Sequence, residues 1–337
     1  MLNTGLTPRQ QNYATTIRAS GTTLLDLLNG ILDLAKIESG EVTVAKTEYD
    51  PTVMLDDMAI AFAPSASGKG LHIVSMPDPD LPHCLVGDSA RVRQVVVNLV
   101  GNAVKFTTSG SVAISAEWIE GSGESDGRLD IDINDTSPGV PGAARDRIFE
   151  RFEQGDGSMS RKFGGAGLGL AIARDLARRM GGDVTLVRSE RGGSTFRLSV
   201  PATVVVADPP ALQSGLFVLA AEATPDEQQS LLGRLARRGV ESAEAQGAAQ
   251  AAAMLEGALG LGERITDVII TSGDDEQSLK RLRTRLLKIS GDARPKLCIL
   301  TDFGSDPVAD ELNDVVDWAM MRPLGDVDLG GMLQALA

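Results

Sequence analysis

Apolar residues in the first forty positions recur every seven, with Ile17, Leu24 and Ile31 on one line and Gly21, Leu28 and Ala35 on the next. This is the seam of a helix of coiled-coil type. Thr7-Pro8-Arg9-Gln10 is a capping box with proline at the first helical position, and Gly40 closes the far end. From Glu41 to about Ala202 strand-like and helical patterns mix, as in the strand-like Leu129–Ile133 and the helix Ala171–Met180. Turn clusters such as Pro77-Asp78-Pro79-Asp80 and Gly121-Ser122-Gly123-Glu124 divide them. Beyond a Pro-containing stretch, Pro201 to Ser214, the apolar runs Leu216–Ala220, Val268–Ile270, Leu297–Leu300 and Trp318–Met321 alternate with helical stretches such as Asp226–Arg238 and Gln246–Leu255. That alternation predicts a parallel sheet in a small doubly wound unit. The expected organisation is a helix over 1–45, an α+β domain over 46–202, a linker over 203–214 and an α/β domain over 215–337.

Composition narrows the function classes. The chain has 337 residues, and its 32 Lys plus Arg stand against 46 Asp plus Glu, a net charge of −14. The nonspecific phosphate attraction behind nucleic-acid affinity is therefore missing, and neither nucleic acid nor an anionic membrane is an expected partner. Aromatic residues make up only 4%, so the cores must be built from Leu, Val, Ile and Ala. Cys84 and Cys298 lie far apart in apolar stretches, which reads as a reducing, cytoplasmic setting and not a disulfide framework. No run approaches the roughly 18 apolar residues of a spanning helix, and the start carries no signal-peptide pattern.

The candidate chemistry sits in the middle domain. Asn98, Asn102 and Lys105 follow one another at spacings of four and three, on one face of a helix whose other face holds Val95, Leu99 and Ala103. Amide oxygens suit a hard cation such as Mg²⁺, and a lysine on the same face neutralises phosphate. Asp135 follows the strand-like Leu129–Ile133, where a carboxylate can accept the exocyclic amine of an adenine. Gly164-Gly165-Ala166-Gly167-Leu168-Gly169-Leu170 runs into a helix, so bare amides and a helix start can hold a phosphate chain. The polar residues Asp156–Phe163 before it exclude the dinucleotide-binding fingerprint, which requires a buried strand there. Finally, Gly192-Gly193-Ser194-Thr195-Phe196 opens a strand in which Thr195 offers a hydroxyl.

Taken in this order, these segments resemble the boxes of the catalytic, ATP-binding domain of sensor histidine kinases. Asn98 to Lys105 is similar to the asparagine box and Asp135 to Gly139 to the first glycine box. Ile148-Phe149-Glu150-Arg151-Phe152 is similar to the phenylalanine box and Gly164 to Leu170 to the second glycine box. The resemblance implies an α+β ATP-binding sandwich of the histidine kinase/chaperone ATPase type, with ATP and Mg²⁺ as cofactors. Asn102 would ligate Mg²⁺, with Asn98 and Lys105 near the phosphates. Asp135 and Gly139 would hold adenine, Gly165, Gly167, Leu168 and Gly169 would line the lid, and Thr195 would support the adenine end. The family has glycine where this chain has Ser137, which predicts a reduced but not abolished ATP affinity.

The first helix, with Leu32-Asp33-Leu34-Ala35-Lys36-Ile37-Glu38-Ser39-Gly40, resembles the second helix of the dimerisation and histidine-phosphotransfer hairpin, and implies a homodimer. The phospho-acceptor histidine belongs to the other helix of that hairpin. His72 lies among apolar neighbours in a predicted strand and His83 in a Pro-rich turn, so both are read as structural. The third domain resembles a response-regulator receiver with its chemistry changed. Ala221 and Glu222 stand for the acidic pair, Ser272 for the acceptor aspartate, and Arg322 for the lysine before proline, while Thr301 is retained. It reads as a pseudo-receiver that binds, Arg322 pairing with a small anionic ligand. The leading expectation is a cytoplasmic hybrid histidine kinase core serving a histidine- or receiver-bearing phosphorelay protein. The alternative is a pseudokinase scaffold. An ATP-hydrolysing chaperone type ranks below both, because Asn98 stands where the general-base carboxylate belongs.

Overall fold

The structure is a computed structural model that describes residues 44–123, 125–145, 147–151, 167–205, 215–261, 266–273, 275–289, 294–303, 312 and 314–336, with isolated positions between 7 and 35. Every described position from Arg9 to Ala35 is helical. The capping box forms as expected. The Thr7 amide donates to Gln10 Oε1 at 3.0 Å and the Gln10 amide returns to Thr7 Oγ1 at 3.4 Å. Tyr13, Ile17, Leu28 and Leu32 on this helix are all exposed.

Among the described residues the middle domain is one mixed sheet with three helices on one face. Its strands are β1 (Thr47–Tyr49), β2 (Leu71–Pro77), β3 (Leu85–Gly87), β4 (Gly110–Glu120), β5 (Asp126–Asp135), β6 (Asp183–Glu190) and β7 (Gly193–Val204). They run in the order β1-β3-β7-β5-β4-β2, with β6 also paired to β7. The helices are α1 (Pro51–Ser67), α2 (Ser89–Phe106) and α3 (Gly169–Arg179). On β5, Leu129, Ile131 and Ile133 point to the helices and are wholly buried. Asp130 and Asp132 alternate onto the outer face, where Arg197 of β7 pairs with both, at 3.2 and 2.7 Å. Aspartates start two of the helices. Asp50 accepts from the Thr52 amide, and Asp88 accepts from the Arg91 amide as well as from Ala45, which ties the incoming chain to α2.

The third domain comprises β8 (Phe217–Ala221), α4 (Pro225–Arg237), β9 (Glu241–Glu244), α5 (Gly247–Leu261), β10 (Val268–Ser272), α6 (Glu276–Leu286), β11 (Lys296–Thr301), β12 (Val316–Met321) and α7 (Asp326–Leu336). The parallel order β12-β11-β10-β8-β9 is a doubly wound sheet with an apolar core on each face. The predicted rhythm is therefore observed.

The two domains meet along β2, the edge strand of the mixed sheet, which α4 covers. Ser230 Oγ donates to the Ser75 carbonyl at 2.6 Å, supplying a partner to an edge group that would otherwise face water. One turn on, Arg234 is wholly buried and forms a bidentate pair with Asp56 of α1, at 2.9 and 2.6 Å. Asp56 also accepts from the Asp326 amide at the start of α7, at 2.7 Å. Another turn along α4, Arg237 donates to the Leu81 carbonyl and, at 2.8 Å, to His83 Nδ1.

His83 is therefore neutral, its Nδ1 accepting. Burial and then the charge of Arg237 hold its pKa below the ordinary 6.5, against the pull of Asp50 and Asp326, with Arg238 adding to the depression. Between this lowered value and 6.5 the unfolded chain binds more protons than the native one, so stability rises with pH there and is lost on acidification. Thermal melts from pH 7.5 down to 5 should fall more steeply for the parent than for His83→Gln. Coincident pH profiles would show that His83 carries no such coupling.

Candidate functional site

Asn98, Asn102, Lys105, Asp135 and Gly169 of the expected site residues lie on the helix side of the mixed sheet. Helix α2 buries Val92, Val95, Val96, Leu99, Val100 and Ala103 against β5 and the other helices, which leaves Asn98, Asn102 and Lys105 half-exposed on the opposite face. Among the described residues neither the Asn98 nor the Asn102 side chain has a hydrogen-bond partner, so both amides are available to a ligand. Asn102 Nδ2 lies 3.9 Å from where a Cβ on Gly169 would stand, which places it beside the start of α3. That start has no side-chain cap, and Gly167 before it takes φ 67°, a left-handed conformation open to glycine. The α3 amides, Asn98 and Asn102 thus form one polar surface that suits phosphate and a hard cation. The far end of α2 is also secured, because Lys69 Nζ donates to the Val104 and Lys105 carbonyls at 2.7 and 2.9 Å.

Asp135 ends β5 on the helix side and is 6% exposed. Its Oδ1 accepts the Ser137 amide at 2.9 Å and the Ser194 amide at 3.2 Å, and among the described residues its Oδ2 has no hydrogen-bond partner. An ionised carboxylate oxygen accepts hydrogen bonds only, so the one left over is matched by a donor. An exocyclic amine of adenine supplies one. Gly139 takes φ 85°, and a Cβ there would stand 2.3 Å from the Glu190 carbonyl, so only glycine fits this crossing.

Thr195 is placed differently from expectation. The register pairs Asn134 with Thr195 and Asp135 with Ser194, and paired residues share a face. Thr195 therefore points to the face away from Asp135, and its hydroxyl donates to Asn134 Oδ1 at 2.7 Å. The hydroxyls beside Asp135 belong to Ser194 and Ser189, 3.2 Å apart and both buried, and neither is among the residues the sequence points to. The only signal available was the alternation itself, counted back from the apolar Phe196.

Of the glycine-rich lid, Leu168 is buried, Gly167 and Gly169 flank it, and Gly165 lies outside the described residues. Phe149 of the aromatic segment packs edge-on against Phe196, with ring centroids 6.4 Å apart. Its other face receives Arg174 of α3 at 4.7 Å, a guanidinium whose pKa the hydrogen-bonded Asp183 raises further. Phe152 lies outside the described residues.

In the third domain, Arg322 is not open to a small anion. It is 6% exposed and surrounded by Glu227 at 2.8 Å, Asp302 at 3.3 Å and Glu222 at 3.9 Å. An incoming anion would have to displace carboxylates that already match its charge, which corrects the expectation of a ligand there. Ser272 ends β10 and is buried, and Asp275 is occupied as the cap of α6, accepting from the Ser278 amide at 3.1 Å. A cleft of about 1470 Å³ opens between the outer sheet face (Glu117, Asp130, Asp132, Arg197) and the loops carrying Glu222 and Gln246. It lies on the opposite side of the sheet from Asp135 and Asn102, and its acidic lining does not suit a triphosphate.

Residues 87–204 match the family of histidine kinase-, DNA gyrase B-, and HSP90-like ATPases. The sensory/regulatory protein RpfC of Xanthomonas campestris pv. campestris is 37% identical over 204 residues, 60% of this chain and 28% of RpfC. The sensor histidine kinase GacS of Pseudomonas protegens is 39% identical over 195 residues, 58% of this chain and 21% of GacS. The chain thus spans about a quarter of the length of these curated relatives. The crystal structure of full-length ShkA in complex with AMPPNP is similar to the whole chain, with a TM-score of 0.70 and 26% identity, and the match covers 100% of this chain and 67% of ShkA. No described helix is long and apolar enough to cross a membrane.

Proposed function

Because this chain is a histidine-kinase core of hybrid architecture, with an ATP-binding domain of that ATPase family followed by a receiver-like domain, we propose that it transfers the γ-phosphoryl group of Mg·ATP to a histidine of a dimerisation hairpin. Asp135 carries this reading, since its Oδ1 is held by two backbone amides while its Oδ2 is left to accept from a ligand at a strand end, on the side of the sheet that also presents Asn98, Asn102 and the start of α3.

Asp135 receives the adenine amine, and Gly139 lets the backbone pass close to the base. Gly165, Gly167, Leu168 and Gly169 enclose the phosphates, and Asn98 and Lys105 hold their oxygens. Asn102 would hold Mg²⁺, which would supply positive charge to offset that of the phosphates. A histidine nitrogen then forms the bond to the γ-phosphorus as the bond to the bridging oxygen breaks, and ADP leaves. The work of the chain is positioning and charge neutralisation.

His72 and His83 are not the acceptors in this reading. His72 sits 3.9 Å from Glu227 of the third domain and His83 is bonded to Arg237, so both belong to the domain seam. The protein acts in the cytoplasm as a homodimer through its first helix and serves a histidine- or receiver-bearing partner. The third domain regulates by binding, without an aspartyl phosphate of its own.

The test is titration of Mg·AMPPNP into the full chain, followed by transfer of label from [γ-³²P]ATP to a separately supplied hairpin bearing a histidine. Saturable binding and acid-labile phosphate on the hairpin are expected. Binding without transfer to any hairpin would leave a nucleotide-sensing scaffold, and absence of binding would remove the kinase reading.

A further inference from the structure

Ser137 stands where the family has glycine, and the sequence alone predicts that it weakens nucleotide binding. The hydrogen bonds around it argue the reverse. We propose that Ser137 and Ser189 are positioning residues that hold Asp135 for adenine, so that the serine strengthens base recognition. This inference rests on the nucleotide reading above.

A carboxylate at a strand end rotates unless it is held. Asp135 is held through Oδ1 alone, by the amides of Ser137 and Ser194, and this directs Oδ2 outward to the base. The Ser194 amide belongs to β7 and is fixed by the sheet. The Ser137 amide belongs to the loop after β5 and is only as well placed as that loop. Two hydroxyls fix the loop. Ser137 Oγ accepts the Gly139 amide at 3.3 Å, closing the turn on itself. Ser189 Oγ, on β6, accepts the Val140 amide at 2.6 Å and lies 3.2 Å from Ser194 Oγ. Arg145 adds a third restraint by donating to the Val140 and Ser189 carbonyls.

Ser137, Ser189 and Ser194 are 5%, 4% and 2% exposed, so these bonds do not compete with bulk water. Ser137 therefore does not project into solvent where a base would stack. Glycine at 137 would keep the amide that reaches Asp135 but lose the hydroxyl that closes the turn, and it would widen the conformations the free loop samples. The substitution that restores the family residue should thus loosen the site.

The experiment compares ADP with inosine diphosphate, which carries a carbonyl in place of the adenine amine, by calorimetry and competition with the full chain and its S137G, S137A and S189A variants. Each variant is expected to raise the Kd for ADP about five- to tenfold, the loss of one oriented hydrogen bond, while the Kd for inosine diphosphate stays within about twofold. Loss of the amine-specific part of binding is a readout that general loosening does not produce. Equal weakening towards both nucleotides, or unchanged or tighter ADP binding by Ser137→Gly, would overturn the proposal. S137A and S189A only remove an oxygen, and melting curves close to the parent's establish that the comparison is between folded proteins. A parent chain that binds no ADP refutes the nucleotide reading itself. A parent that prefers ADP, unchanged by all three variants, refutes only the role of the serines.

Discussion

Asp135→Asn should lower nucleotide affinity by about 100-fold or more and leave the fold intact. Asparagine has the same shape, and its oxygen can still accept the Ser137 and Ser194 amides that Asp135 Oδ1 now accepts. The remaining group becomes an NH₂. Where Oδ2 offered an acceptor to the adenine amine, the variant sets donor against donor in a buried site. Leaving a polar pair unmatched there costs about 2–4 kcal/mol, and sites built around a hydrogen bond discriminate more strongly than apolar ones. Calorimetric titration of Mg·AMPPNP, beside a melting curve within a degree or so of the parent's, checks both halves. An unchanged Kd in the folded variant would mean that adenine does not bind at Asp135.

Arg234→Met should cost about 3–5 kcal/mol of stability at the domain seam. The Arg234 side chain is 0% and the Asp56 side chain 6% exposed, so removing the guanidinium leaves a carboxylate out of water with the Asp326 amide as its remaining donor. Breaking a buried pair from one side is expensive because of the charge left behind, not because the pair itself contributes that much. The double variant Asp56→Leu with Arg234→Met should therefore recover much of the loss, a coupling that a double-mutant cycle reads directly. Urea denaturation of the full chain gives the energies. If Arg234→Met alone costs under about 1 kcal/mol, the pair is hydrated in solution and the domains are held by other contacts.

The burial of these seam residues is not encoded locally. The spacing predicts a helix over Asp226–Arg238, and α4 is Pro225–Arg237. Its Ser230, Arg234 and Arg237 fall at intervals of four and three, which in one dimension is indistinguishable from a solvated polar face. Their burial depends on the Ser75 carbonyl and Asp56, about 150 to 180 residues away. The same holds for Arg322, whose counter-charges come from the segments around Glu227 and Asp302 and cancel the anion site that a lone arginine suggested.

In the nucleotide site the division is finer. Asn98, Asn102 and Lys105 were legible because helical spacing alone puts them on one face. Asp135 was legible as the polar end of an alternating strand. The side that Thr195 takes is not legible locally, because a strand has two faces and the pairing register with β5, a long-range property, decides which one a side chain takes. Ser189 and Ser194 carry no local mark, and they matter only because β6, β7 and the loop after β5 meet.

Local rules in the chain thus settle where helices and strands begin, which glycines must turn, and which polar groups lie together on one element. The capping box of Thr7 and Gln10, the repeated βα rhythm after Gly215 and the asparagine face of α2 all follow from interactions within a few residues. The packing of distant segments decided which face of β7 lies beside Asp135, what neutralises Arg322, and that α4 is buried against β2. Those outcomes depend on register and desolvation, which arise only once segments remote in sequence share the same water-excluded space.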